Sequence, residues 1–339
     1  MMKKAIVVLL CSLIAANVIA QSNRFLIAFG SCNDQDRTQE MWNEIIAQHP
    51  DVWIWVGDNI YSDFKNPAGR PALYQKQKSN ADYQRLIATC QVTGTWDDHD
   101  YGVNDGGKNY GLKKQSQQLA MDFLGFDKNN PVRHHEGIYN SVEYGRGKQK
   151  IKIINLDTRT FRDTVLRENY VDTLSGKKMY RMLPNLSGDI LGEHQWAWLK
   201  QELKNTSAKV VIVNSSIQVL PRQHRFEKWA NLPKAKERLL SLLSESGKNI
   251  ILISGDRHVA EFSKTQMANG KALYEFTSSG LTHTWAEPWK EDNEFRIGEL
   301  VIEKNFGIIQ IDWKGSEPTI EMRVMGLRQQ VFNKVSFSF

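Results

Sequence analysis

The run Val52-Trp53-Ile54-Trp55-Val56 contains no polar side chain and stops at Gly57-Asp58. A strand with one solvated face alternates apolar and polar residues, so an unbroken apolar run belongs to a strand covered on both faces. Further strands are predicted at Phe25 to Phe29, Gln91 to Trp96, Lys150 to Leu156, Lys209 to Asn214 and Asn249 to Ser254. Between them, Thr38 to Gln48, Gly192 to Leu203 and Pro233 to Ser246 have helical spacing, with Met41, Trp42, Ile45 and Ile46 on one face of the first. After about residue 270 the pattern turns to strands alone, at Ala272 to Ser278, Gly307 to Trp313 and Thr319 to Met325. Asn104 to Tyr144 is polar and rich in Gly and Asn, and reads as long loops over one face. This order predicts an α/β fold, a two-sheet β-sandwich core flanked by helices, as a single domain over residues 21–339.

The ends of the predicted strands carry the chemistry. Open α/β sheets present ligand-binding residues at the carboxyl ends of their strands. Here those ends read Cys32, Asp58, Asp97-Asp98-His99-Asp100 and Asp256-Arg257-His258. A single Gly-Asp after a strand is weak evidence, since Asp often caps or turns the chain. Several acids gathered at one sheet edge would repel one another unless a cation neutralised them, so the joint pattern points to a metal centre.

Four ordered motifs resemble those of a known family: Phe29-Gly30-Ser31-Cys32, Val56-Gly57-Asp58-Asn59-Ile60-Tyr61, Thr95-Trp96-Asp97-Asp98-His99-Asp100 and Ser254-Gly255-Asp256-Arg257-His258. They resemble the PhoD-like alkaline phosphatases, within the calcineurin-like metallophosphoesterases, and are similar to purple acid phosphatases at the metal site. The resemblance implies ferric iron held by Cys32, Asp58, Tyr61 and His258. It also implies calcium, or a different divalent ion, at a second site shared by Asp58 and completed by Asp256 with Asp98, Asn104 or both. Oxygen ligands suit calcium. His99 is implied as the acid that protonates the leaving oxygen, with Asp100 either orienting its ring or capping a turn. Arg159 is expected either to clamp phosphate or to pair with Asp157 or Asp163. Arg257 is expected to point away from the metals, and His283 could stand behind them.

Three departures from the family pattern stand out. Cys32 follows almost directly on the N-terminal segment, without a preceding β-sandwich domain, and the chain ends in strands rather than a helix over the site. Val213-Asn214-Ser215-Ser216-Ile217-Gln218 also lacks the usual histidine. The first two departures suggest a more open cleft, and the third bears on the identity of the second metal.

Met1 to Ala20 have two lysines, an apolar run and a small-residue end, the layout of a cleaved secretory signal, so export is expected. Removing this segment takes two lysines and no acid, lowering the net charge from +6 to +4. No Lys/Arg block stands out, so specific nucleic-acid recognition is not implied, nor is a stable protein partner. The expected activity is hydrolysis of small phosphomonoesters or phosphodiesters. Cleavage of a phospholipid headgroup at the same site is a second reading, and a non-catalytic binding protein a third. Trp285 and Trp289 could contact an aromatic or lipid portion of a substrate.

Overall fold

A computed structural model describes residues 23–62, 67–173, 176–285 and 291–339. The expected signal segment and Trp289 lie outside these residues. The first strands are β1 Arg24–Gly30, β2 Val52–Val56, β3 Gln91–Thr95, β4 Asn140–Tyr144 and β5 Ile151–Asn155. They are followed by β6 Arg167–Val171, β7 Lys178–Met182, β8 Val210–Asn214, β9 Ile250–Ser254 and β10 Ala260–Gln266. The last are β11 Ala272–Ser278, β12 Arg296–Val301, β13 Phe306–Lys314, β14 Glu317–Met325 and β15 Val331–Ser338. The α-helices are α1 Met41–Ala47, α2 Arg70–Lys78, α3 Ala81–Ile87, α4 Asp98–Tyr101, α5 Lys113–Phe123, α6 Gly192–Asn205 and α7 Pro233–Glu245.

One sheet has the order β15-β14-β13-β1-β2-β3 and the other β12-β10-β11-β9-β8-β5-β4, while β6 and β7 form a separate hairpin. Because successive side chains on a strand point to opposite faces, each buried run serves two layers at once. Ile27, Phe29, Val52, Ile54 and Val56 of the first sheet meet Ile153, Ile212, Ile251 and Ile253 of the second. On the outer face of the first sheet, Trp53 and Trp55 pack with Trp42 of α1, Tyr83 of α3 and Phe123 of α5. On the outer face of the second, Val211, Val213, Ile250 and Leu252 lie under Trp196, Leu199 and Leu203 of α6 and Leu239 and Leu243 of α7. The result is four layers, helix, sheet, sheet, helix, as the strand pattern requires. Helix α1 has only seven residues, too few to persist alone in water, so its aromatic packing holds it in place.

The stretch from Asn104 to Tyr144 departs from the expected loops. It contains the eleven-residue helix α5 and the strand β4. The helical signal is weak because the buried face of α5 is partly polar. Ser116 donates to the Tyr101 carbonyl (2.7 Å) and Gln117 to that of His135 (2.8 Å), where a simple amphipathic helix would carry aliphatic residues.

Strands β1, β2 and β3 run parallel, as do β5, β8, β9 and β11. Their carboxyl ends converge on the turns that carry the candidate site.

Candidate metal centre

Each of these strands ends in a tight turn. Cys32, Asp58, Ser216, Asp256 and His258 all have left-handed backbone, with φ of 57°, 48°, 40°, 66° and 55°. Each such non-glycine residue costs roughly 1–2 kcal/mol and needs a surrounding structure that enforces it. Gly57, at φ 89°, lets the turn after β2 press against the Asp97 side chain, where a Cβ would collide. The effect of these turns is to aim side chains back into one buried pocket at the sheet edge.

Asp58, Asp97, Asp98 and Asp256 each bring a carboxylate oxygen to within 4.8 Å of the others, and Asp58 and Asp98 form a second such group with His99. The Cys32 thiol donates to Asp58 Oδ2 at 3.4 Å. The Tyr61 hydroxyl, His258 Nδ1, Asp98 Oδ1 and Asp97 Oδ2 are buried without a hydrogen-bond partner. A cluster of buried, unpartnered oxygen and nitrogen donors is what a bound cation satisfies, so this donor set fits metal ions.

The electrostatics agree. Burial, followed by repulsion from Cys32, holds the Asp58 carboxyl well above the usual range. Burial, followed by the Asp98 charge, lifts Asp256 to about 7. Burial also pushes the Cys32 thiol up to about 11. Such a group of acids cannot all ionise together unless positive charge enters with them. Burial, with His283 and His99 nearby, lowers His258 to about 3, which keeps its imidazole neutral, the form that ligates metals.

His99 is half-buried on α4, its backbone amide bonded to Asp58 Oδ1 at 3.3 Å and its ring tilted 30° against that of Tyr61 with centroids 4.1 Å apart. Of the two roles open to Asp100, the structure shows the cap. Its carboxylate accepts the backbone amides of Asp97 (2.6 Å) and Asn59 (3.3 Å).

Two further placements differ from expectation. Asn104 is exposed, with its Nδ2 donating to Asp105 Oδ2 at 2.6 Å. The backbone amide of Asp105 instead reaches Asp98 Oδ2 at 2.7 Å. Arg159 is fully buried and pairs with Asp97 and with Glu227 (2.5 Å), not with the carboxylates of Asp157 or Asp163. Arg162 pairs with the same Glu227 at 2.9 Å. Asp157 is occupied by capping the turn around Thr160 and Ile138. Arg159 therefore anchors Asp97 from behind, in place of an open phosphate clamp.

Arg257 points away from the acids, as expected, and makes a two-pronged pair with Glu291 at 2.6 and 2.7 Å. His283 lies with its ring 4.5 Å from that of His258 and 5.2 Å from that of Tyr61. Asp97 belongs to the acidic strand end read from sequence but has no separate role there, and Ser216 and Glu227 have none. Ser216 donates to Asp97 Oδ1 at 2.9 Å, and its position two residues past an apolar strand was the available signal. Glu227 lies in a loop between Leu220 and α7 and offers no such signal.

The family model of PhoD-like phosphatases matches residues 27–306. The solved structure of PhoD superposes with a TM-score of 0.69 at 16% identity, covering 93% of this chain and 68% of that one. A conserved protein of Streptococcus pneumoniae described as a predicted phosphoesterase gives a TM-score of 0.34 at 9% identity, covering 93% of this chain and 98% of its own. Vps29 of Chaetomium thermophilum gives 0.32 at 10% identity, with coverage of 93% and 98%. These last two similarities are too low to carry an argument. No curated protein matches the chain.

Proposed function

From the premise that this chain belongs to the PhoD-like phosphatase family and is a metal-dependent phosphoric ester hydrolase, we propose that it hydrolyses phosphomonoesters and phosphodiesters at a two-metal site. In this reading Cys32, Asp58, Tyr61 and His258 hold ferric iron, while Asp58, Asp98 and Asp256 hold a divalent ion of calcium type. The observation that carries the proposal is the set of buried, unpartnered donors on Tyr61, His258, Asp98 and Asp97 around four close carboxylates. When bound, such ions supply Lewis acidity toward phosphoryl oxygens and lower the pKa of water.

The remaining work falls to the chain. His99 donates the proton that the leaving alcohol needs, with its ring steadied against Tyr61. Arg159 and Ser216 fix the Asp97 carboxylate, and Asp100 fixes the turn that carries His99. The signal-like N-terminus supports action after export, with a mature chain beginning near Gln21.

The test is metal analysis of protein purified without chelator, alongside a panel of mono- and diesters. Iron plus a divalent ion, a visible phenolate-to-iron band removed by Tyr61→Phe, and hydrolysis abolished by chelation are expected. Zinc alone with no visible band would defeat the iron assignment. Failure of metal-replete protein to hydrolyse any ester would defeat the proposal.

A further inference from the structure

Among the described residues, Trp285 is a large apolar side chain exposed beside the metal centre, with 39% of its surface in solvent. Its backbone amide bonds to the His258 carbonyl at 3.4 Å. Its indole meets the His258 ring edge-on, centroids 5.5 Å apart at 84°. Behind it stands Phe226, 5.8 Å away and tilted by 34°. Phe226 in turn has two guanidinium groups, those of Arg225 and Arg257, each 4.2 Å from its ring centroid. Arg257 is fixed by two hydrogen bonds from one guanidinium nitrogen to the Glu291 carboxylate. The space enclosed by Phe226, Arg257, Val259, Trp285, Leu300 and Ile302 is about 10 Å³, no more than one water occupies. The wall is therefore packed from behind and holds the indole in one place while part of its surface stays open.

Core packing does not account for this arrangement. A Trp that served only the core would be covered, and an indole left partly in water beside a polar cleft gives up burial free energy. Its ring neighbour toward the centre is His258, and from there a chain of ring contacts runs through His283 and Tyr61 to His99, the acid that serves the leaving group. With the phosphoryl group at the carboxylates, the ester's organic group extends from there, and a rigid π-face lies one ring beyond His258.

We propose that Trp285 is a stacking platform for a planar aromatic group on the ester, so that the preferred substrates are aryl or nucleoside phosphate esters. This rests on the phosphoesterase reading. Stacking on a rigid ring accepts any flat π-system, whether a nucleobase or a phenyl ring, and discriminates against alkyl groups.

Three substrates separate the outcomes: bis(p-nitrophenyl) phosphate, a dinucleotide and glycerophosphocholine. In Trp285→Ala the ratio of kcat/KM for the aromatic diesters to that for the alkyl diester should fall about tenfold, mainly through KM. Trp285→Phe should restore most of it. A loss confined to the p-nitrophenyl ester assigns an aryl group, and one confined to the dinucleotide assigns a nucleobase. An unchanged ratio overturns the platform. In parallel, adenosine and p-nitrophenol should quench tryptophan fluorescence of the wild type, with the component from Trp285 missing in Trp285→Ala. Equal quenching in both proteins overturns the platform as well. If the wild type hydrolyses none of the three esters, the phosphoesterase reading fails, and the fluorescence comparison still decides the platform.

Discussion

His99 and Asp58 come from separate strand ends joined by a hydrogen bond, the amide of the first on a carboxylate oxygen of the second at 3.3 Å, yet their replacement should have different consequences. His99→Asn removes a proton donor and leaves the four-carboxylate group intact, so metal content should survive. General acid catalysis is worth on the order of a hundredfold to ten-thousandfold, and that loss should appear with alkyl phosphates. The loss should be smaller for p-nitrophenyl phosphate, whose leaving group is already stable as an anion. Asp58→Asn should lower metal content and slow both substrates alike. The deciding quantity is the ratio of the two rates in folded, metal-replete His99→Asn, and an unchanged ratio would remove the acid role. The residues gathered at the centre are legible because each follows a predicted strand: Cys32 after β1, Asp58 after β2, Asp98 after β3, Asp256 and His258 after β9. What sequence could not show is which carboxylate faces which partner. Asp97 and Asp98 are adjacent and chemically identical, and only the turn geometry gives Asp97 to Arg159 and Ser216. Asn104 has suitable chemistry in the right stretch, but it is exposed and its amide donates to Asp105.

At the scale of elements, the strands that read most clearly are those whose two faces both meet apolar layers, β2, β8 and β9. Strand β10 is not among the predicted strands, because Glu261 and Ser263, both buried, interrupt any continuous apolar run and the alternation stops after Ser263 with Lys264-Thr265-Gln266. Glu261 is accommodated there by Arg296 at 2.6 Å and by Gln218 at 2.7 Å, partners distant in sequence and so invisible to a local reading. Strand β3 shows how closely the first sheet is packed. Gly94 lies opposite Trp55 of β2, and a Cβ there would stand 2.5 Å from the Trp55 carbonyl oxygen and 2.6 Å from its Cβ. Neither neighbour can yield, because one is backbone and the other begins a fully buried indole. Gly94→Ala should therefore destabilise the protein by about 2–3 kcal/mol, as overpacking does, read as a lower urea midpoint at unchanged slope. Gly111→Ala is the control, since nothing lies within 4 Å of its Cβ position. It should shift stability by no more than about 0.5 kcal/mol. Equal effects at the two sites would contradict the packing described for β2 and β3.

For the molecule as a whole, stability should rise as the solution turns mildly alkaline, because two ammonium groups are folded into places that disfavour their charge. Burial, followed by repulsion from Arg257, lowers Lys228 to about 7 from an ordinary 10.5, and its Nζ has the Phe226 carbonyl at 2.9 Å. Burial likewise lowers Lys236 to about 8, with Glu275 acting in the opposite sense, and its Nζ reaches the Leu220 carbonyl at 2.8 Å. Between pH 7.5 and 9 the unfolded chain keeps both protons while the folded chain has released most of them. Where the unfolded state binds more protons, raising the pH favours folding, by up to about 1.4 kcal/mol per pH unit for each group. The gain across that interval should be on the order of 2 kcal/mol. Buried acids outside the ligand set, such as Asp100, raised to about 7, work in the other direction, but only while pH climbs from their unfolded value near 3.8 to 7. Their contribution is nearly complete before the interval begins. Above pH 9 the rise should slow, because Cys90, pushed up to about 11 by burial, stays protonated when folded while the unfolded thiol ionises. Urea midpoints at constant ionic strength, with metal present throughout, should climb from pH 7.5 to 9 and less steeply above it. Lys228→Met should remove roughly half of the rise, since it deletes one of the two groups that drive it. A flat or falling curve between pH 7.5 and 9 in the wild type would show that these lysines keep their protons on folding, and that the buried cluster around Arg257 is solvated or paired differently from the arrangement described.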